Sequence, residues 1–342
     1  MADPHIKLKL VELRLKHAFN LSKASAERKQ TLIARYKRGI GEGSSSIHYG
    51  ASSEECLKLA ELRLKRFHDD WNVVAVREFT ESLPPSLNVA RCAIEMALLD
   101  HLAKEVELPL YTYLRLPTPK SVASAFTITR TSDDDIRRQL ESASAFRNLK
   151  LKVGFDGDLK FIDFVLKFGE KRLYLDANGG WERDTAIERI KALAGYPIEF
   201  FEQPLSDPTV RELDRIKTKV ECRIFLDESI KARKDIERYH KVVDGVNLKL
   251  SKCGGIGSVV ALAELAREHK LKLMLGCMIE SAVGITAALH LSSLFDYFDL
   301  DAIMLTENDP YWGAHFDADM LVLPGGIRNR HHIRGGDICL GP

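Results

Sequence analysis

The chain has 342 residues, room for one large core and a smaller companion, and its 50 Lys+Arg nearly balance 49 Asp+Glu for a net charge of +1. That balance excludes an electrostatic binder of nucleic acid or anionic membrane, which needs a surplus of cations. No apolar run reaches the length of a membrane span, residues 1–25 hold no signal-peptide core, and six scattered cysteines without a C-x-x-C pair predict reduced thiols in a cytoplasmic protein rather than a zinc site.

Residues 5–15 alternate apolar and polar as a half-buried strand does, and Thr31 to Ile40 reads as a second strand. Gly39-Ile40-Gly41-Glu42-Gly43 and the serines after it predict a Gly-rich turn. It is not a phosphate loop, because the Lys-Ser/Thr of such loops is missing. Ser53 caps a helix carrying Leu57, Ala60, Leu64 and Phe67 on one face. A second helix begins near Asn88 and repeats Val89, Cys92, Ala93, Met96, Leu99 and Ala103, with Arg91 and Glu95 facing outward. Strands followed by helices without alternation predict an α+β capping domain over residues 1–115.

After Leu116-Pro117-Thr118-Pro119 the pattern changes. Val122 to Thr129 predicts a first parallel strand, and Ser132 caps the helix after it. Five apolar runs then end in a charged residue: Lys152, Asp176, Glu202, Asp227 and Lys249, at steps of 24, 26, 25 and 22 residues. One strand, loop and helix of a β/α barrel take about that length. Leu271 to Gly276 supplies strand seven and Tyr297 to Asp301 strand eight. The predicted fold class is α/β, a (β/α)7β-type TIM barrel over 116–318 with the N-terminal α+β cap. The last segment, 319–342, has strand-like pieces such as Met320 to Leu323 and is expected to return to the cap.

Taken singly, each charged strand end reads as a solvated loop residue, and their matched spacing is what changes the balance. Asp176, Glu202 and Asp227 end three consecutive strands, about 4.8 Å apart, so they converge on one small volume. Such acids repel and take up protons unless a hard dication neutralises them, and oxygen-only ligands suit Mg²⁺, with Mn²⁺ as the second choice. Lys150 and Lys152 share one face of strand two, and Lys249 stands four strands away, on the opposite side of an eight-strand ring. Lysines beside a dication have lowered pKa values and act as general bases. Two bases on opposite faces of a metal-bound carboxylate predict epimerisation: one removes the α-proton, the metal and Lys150 hold the enediolate, and the other returns a proton. Lys252 falls off the face of Lys249 and reads as a loop residue. Thr129 would share the rim and hydrogen-bond a substrate. Asp299 and Asp301, i and i+2 on strand eight, lie too far round to join the acid trio. They read either as a receptor for a substrate ammonium or as an acidic strand end in solvent.

Leu149–Gly154, Leu175–Trp181, Phe201–Pro204, Leu226–Ser229 and Asn247–Gly255 resemble the enolase superfamily, in the subgroup of muconate lactonising enzymes and dipeptide epimerases, over essentially the whole chain. A Lys base with Mg²⁺ is the known chemistry of enolase-superfamily sites. The resemblance implies that Asp176, Glu202 and Asp227 take the metal and that Lys152 and Lys249 transfer protons. Asp299-Leu300-Asp301 resembles the Asp-x-Asp by which dipeptide epimerases hold the N-terminal ammonium, and Gly276 to Ser281 resembles their segment after strand seven. The implied activity is an isomerase inverting the C-terminal α-carbon of a dipeptide. The alternatives are an o-succinylbenzoate synthase or N-acylamino-acid racemase of the same subgroup, or a catalytically silent ligand-binding barrel. Ala-Glu epimerases carry an arginine in the first lid loop, whereas His17 to Ala26 offers only Lys23, and Phe19, Leu21 and Tyr49 suit an apolar pocket. Which side chains are preferred therefore stays open. Members of the family are often homo-oligomers.

Overall fold

The computed structural model describes residues 6–21, 24–46, 52–64, 71–324 and 339–340. Lys23, Tyr49, Phe67 and the side chains of Leu21 and Leu64 lie outside that set. The N-terminal part is an antiparallel sheet of β1 (Lys7–Leu21), β2 (Ala24–Tyr36) and β3 (Gly39–Ser44). The single strand expected over 31–40 is thus two strands, reversed at Lys37, which takes a φ of 49°. The expected Gly-rich turn is β3 itself. Helix α3 (Asn88–Glu105) lies directly on this strand. A Cβ at Gly39, Gly41 or Gly43 would run into the carbonyl oxygens of Ala97, Ala93 and Val89. The glycines therefore serve close approach.

Glu95, expected to face outward, is buried on α3 and accepts the N–H of Gly257, because α3 is covered on its far side by the barrel. Helix α1 (Ser53–Leu64), followed by α2 (Val73–Ser82), is capped one residue earlier than expected, Ser52 Oγ accepting the Glu55 N–H at 3.2 Å. Ser53 instead donates to Gln30 O and ties the helix to β2.

Eight parallel strands follow in unbroken order. They are β4 (Ala125–Ile128), β5 (Asn148–Lys152), β6 (Arg172–Asp176), β7 (Ile198–Glu202), β8 (Ile224–Leu226), β9 (Gly245–Lys249), β10 (Lys272–Gly276) and β11 (Tyr297–Asp299). The first and last are joined through side chains: Asp301 accepts the Thr127 N–H at 2.6 Å, and Ser124 Oγ accepts the Leu300 N–H at 2.9 Å. Below the rim the barrel is filled by Ala125, Tyr174, Phe200, Phe225 and Met274, with Phe200 stacked on Tyr174 and on Phe225 at 4.5 and 4.1 Å. Two residues further along each strand stand the rim groups, Asp176 above Tyr174, Glu202 above Phe200 and Asp227 above Phe225. An aromatic floor thus excludes water beneath the acids. Met320–Val322 pairs with Val122–Ala123, just before β4, rather than returning to β1–β3. The backbone of that short strand takes up its hydrogen bonds.

The cap docks on the barrel through buried acids. Glu42 on β3 accepts hydrogen bonds from Thr31 and from Ser281 and Gly284, which begin a barrel helix. Beside it Glu280 accepts from Ser251 at 3.0 Å. Burial, reinforced by Glu42, pushes Glu280 up to about 8. An acid whose folded pKa exceeds its unfolded value stabilises most below the unfolded pKa and loses that contribution as pH rises through the folded one. The wild-type urea midpoint should therefore fall between pH 5 and pH 8.5, and Glu280→Gln should flatten that fall by on the order of 1–2 kcal/mol. Parallel curves for the two proteins would refute this.

Candidate active site

The C-terminal rim of the barrel gathers the charged strand ends into one network. Lys150 is fully buried, and its Nζ lies 2.8 Å from Asp299, 2.9 Å from Glu202 and 3.0 Å from Asp176. Lys152 Nζ is 2.7 Å from Asp176, and Lys249 Nζ is 2.7 Å from Asp227. Strands β5 and β9, which carry the two outer lysines, are four apart in the ring, so the lysines approach the acids from opposite sides. Gly276 beside β9 leaves them room, since a Cβ there would stand 2.6 Å from Asn247 Oδ1 and 3.0 Å from Lys249 Cε.

Electrostatics set the protonation states. Burial disfavours charge on Lys150, yet Asp176, Asp299 and Glu202 together hold it well above an ordinary lysine. Lys249 is likewise raised, burial being outweighed by Asp227. The sequence predicts lowered lysine pKa values beside a dication, but in the chain by itself the carboxylate pairings win. Burial also opposes charge on Asp176 and Asp227, and the lysines around them hold both below the usual carboxylate range. Glu202 goes the other way, pushed up to about 7 by burial and by Asp176. These opposed shifts separate the acids into two kinds, as in many acid–base sites.

Three expectations change. Lys252 is not a loop residue: strand β9 gives way at once to a helical turn, Leu250–Cys253, which brings its Nζ to 2.7 Å from Asp227 and 2.6 Å from Asn247 O. Thr129 is buried but turned to the cap, where its hydroxyl donates to Ala18 O, while Thr127 faces the rim and reaches Asp299 at 3.4 Å. Asp299 does not stand apart from the acid trio, because the long arm of Lys150 spans the barrel and bonds to both. Among the described residues no lysine pairs with Asp301; burial and Asp299 push it up to about 7.

Further residues build the site. Asn247, two before Lys249 and so on its face, donates to Glu202 Oε1 at 2.8 Å. Gln203 takes a φ of 40° and accepts the Asp227 and Ser229 N–H groups, fixing the loop that carries Asp227. Asn178, at a φ of 44°, donates to Glu228, an acid raised to about 7 by burial and by Asp227. Left-handed backbone at two non-glycine residues is strain held at a functional rim. The same parity that marks Lys249 marks Asn247; the other two carry no local signal.

Above the acids is a cavity of about 170 Å³. Barrel residues Lys152, Lys249, Asp227, Asp299 and Asp301 line its base. Leu15 and Phe19 of the cap line its roof, with Phe19 5.8 Å from the Lys152 ammonium. Glu202 Oε2 and Asp227 Oδ2 are buried and have an ammonium beside them without an aligned hydrogen bond. Buried, hard carboxylate oxygens of this kind fit an Mg²⁺-sized cation. Among the described residues no three acids, histidines or cysteines converge tightly enough to cage a cation as they stand, and Lys150 lies between Asp176 and Glu202.

A parallel barrel whose rim sets acids between opposed lysines under a lid is the architecture of an acid–base enzyme. The chain belongs to the enolase C-terminal domain-like family, which its residues 135–329 match. An L-Ala-D/L-amino acid epimerase of Pedosphaera parvula is 34% identical to it over 289 residues, 83% of each chain. A hydrophobic dipeptide epimerase of Roseobacter litoralis is 32% identical over 323 residues, 84% of this chain and 92% of its own. The solved structure of a dipeptide epimerase from Enterococcus faecalis, complexed with Mg and the dipeptide L-Leu-L-Tyr, superposes with a TM-score of 0.85 at 27% identity, over 93% of this chain and 96% of the other. These relatives are epimerases, enzymes of the isomerase class.

Proposed function

We propose that this protein is an Mg²⁺-dependent dipeptide epimerase that inverts the α-carbon of the C-terminal residue. The observation that carries the reading is the pair of lysines facing each other across the acids, with Asp299 and Asp301 in the same cavity. Asp176, Glu202 and Asp227 would hold the metal. When bound, Mg²⁺ supplies positive charge beside the substrate carboxylate and takes over from the lysines part of the charge of Asp176 and Asp227. Lys152 and Lys249 then work on opposite faces of the substrate Cα, one removing the proton and the other delivering one. Lys150, buried beside these acids, would donate to the carboxylate on which charge develops. Asp299 and Asp301 receive the N-terminal ammonium, which favours the ionised form of Asp301. The cytoplasmic setting is part of the same reading, supported by free thiols at Cys92, Cys222, Cys253 and Cys277.

Incubating L,L-dipeptides with the protein and Mg²⁺ in D₂O tests this, the expected result being deuterium at the C-terminal α-carbon and a mixture of epimers. Asp301→Asn should lower kcat/KM for dipeptides about ten- to a hundredfold, the worth of one charge-assisted hydrogen bond, mostly through KM. An N-succinylamino acid turning over in place of every dipeptide, with Asp301→Asn indifferent, would favour the racemase branch instead.

A further inference from the structure

Among the described residues three lysines line the cavity, Lys29, Lys152 and Lys249. The last two each have a carboxylate at 2.7 Å. Lys29 comes from the cap, on β2, and among the described residues no side-chain hydrogen bond or ion pair engages it. It is partly buried, and burial alone lowers its pKa, with no acid close enough to oppose the shift. A desolvated ammonium on a cavity wall without a countercharge is costly to maintain, and an arriving anion offsets that cost.

The register of the cap says which part of a ligand meets it. Lys29 pairs with Leu13 on β1, and two residues along β1 Leu15 bridges to Thr306, just beyond Asp301. On its other side, β2 runs beside β3, whose Ser44 donates to Ile279 O, just beyond β10. Lys29 therefore stands between two anchors over the ends of β10 and β11, the side of the ring that carries Asp299 and Asp301. Phe19, at the far end of β1, covers the opposite side, over Lys152. Ser45 and Ser46, directly after β3, line the cavity with Lys29 and make this wall polar.

We propose that Lys29 is a specificity residue selecting dipeptides whose N-terminal residue has an acidic side chain, that carboxylate pairing with its ammonium while Asp299 and Asp301 hold the α-ammonium. The inference rests on the dipeptide reading above and extends it to a substrate class. It places the anionic side chain on the residue that is not inverted.

Steady-state exchange in D₂O with Mg²⁺ should show L-Glu-L-Ala preferred over its neutral isostere L-Gln-L-Ala by about tenfold or more in kcat/KM. Lys29→Met should bring that ratio close to one, Lys29→Arg should keep it, and Lys29→Glu should turn the preference to L-Lys-L-Ala. Equal rates for the Glu and Gln dipeptides in the wild type, or a ratio that Lys29→Met leaves unchanged, would overturn the assignment. Failure of every dipeptide to exchange would instead sink the epimerase reading. Calorimetric titration of the Mg²⁺-loaded protein with the same two dipeptides then decides Lys29: a Glu preference abolished by Lys29→Met sustains it, and equal binding ends it.

Discussion

Replacing Lys249 by alanine should slow inversion by on the order of 10²–10⁴-fold, the usual worth of a positioned general acid or base. The loss should also be one-sided. Lys152 remains on the other face, four strands away, so α-proton exchange should persist for one epimer without inversion. Lys152→Ala should spare exchange of the other epimer. Proton NMR of each dipeptide epimer in D₂O reads both results. A variant that exchanges both epimers at the wild-type rate would remove Lys249 from proton transfer. The experiment separates a base from a mere charge, since loss of a binding ammonium would depress both epimers alike.

Asp227→Asn should destabilise the fold by about 3–5 kcal/mol at neutral pH, besides weakening any Mg²⁺ site. Asp227 is buried and pairs with two buried ammoniums, Lys249 and Lys252, each at 2.7 Å. An amide leaves both without that countercharge in a water-poor setting. Although burial opposes its charge, Asp227 sits well below an ordinary carboxylate under the pull of these lysines. A depressed acid stabilises above its unfolded pKa and loses that contribution as pH falls toward the folded one. Urea midpoints of the wild type and Asp227→Asn should thus differ most at pH 7 and draw together below about pH 4. Coincident midpoints at pH 7 would show that the pairings stabilise nothing.

The site was legible in the sequence wherever strand parity and charge coincided. Asp176, Glu202, Asp227, Lys152 and Lys249 each end an apolar run, and the structure brings all five to one rim. Strand parity mislocates Lys252, because parity ends where β9 becomes a helical turn. Asn247 shares the parity of Lys249, but parity alone does not show which acid a neutral amide serves. Asp299 looked remote because strand spacing was counted without the length of a lysine side chain. The glycines of β3 read as a turn since their reason lies across the chain in α3, and no local pattern reports a helix packed at backbone distance. Glu95 reads as solvent-facing for the same reason, although it is buried. Lys29 carried no mark at all in the sequence, being one polar position among several on an alternating strand.

The seam between β4 and β11 has a consequence for how such an enzyme can diversify. Asp301 both faces the cavity and accepts the Thr127 N–H that helps close the ring. A change there would alter the cavity and the closure of the ring together, so the proposed ammonium receptor is tied to the scaffold. Lys29 lies on a separate sheet, and among the described residues no bond of the barrel depends on its side chain. If Lys29 selects side chains as proposed, selection could be retuned on the cap at little structural cost, while the rim groups stay fixed in the ring.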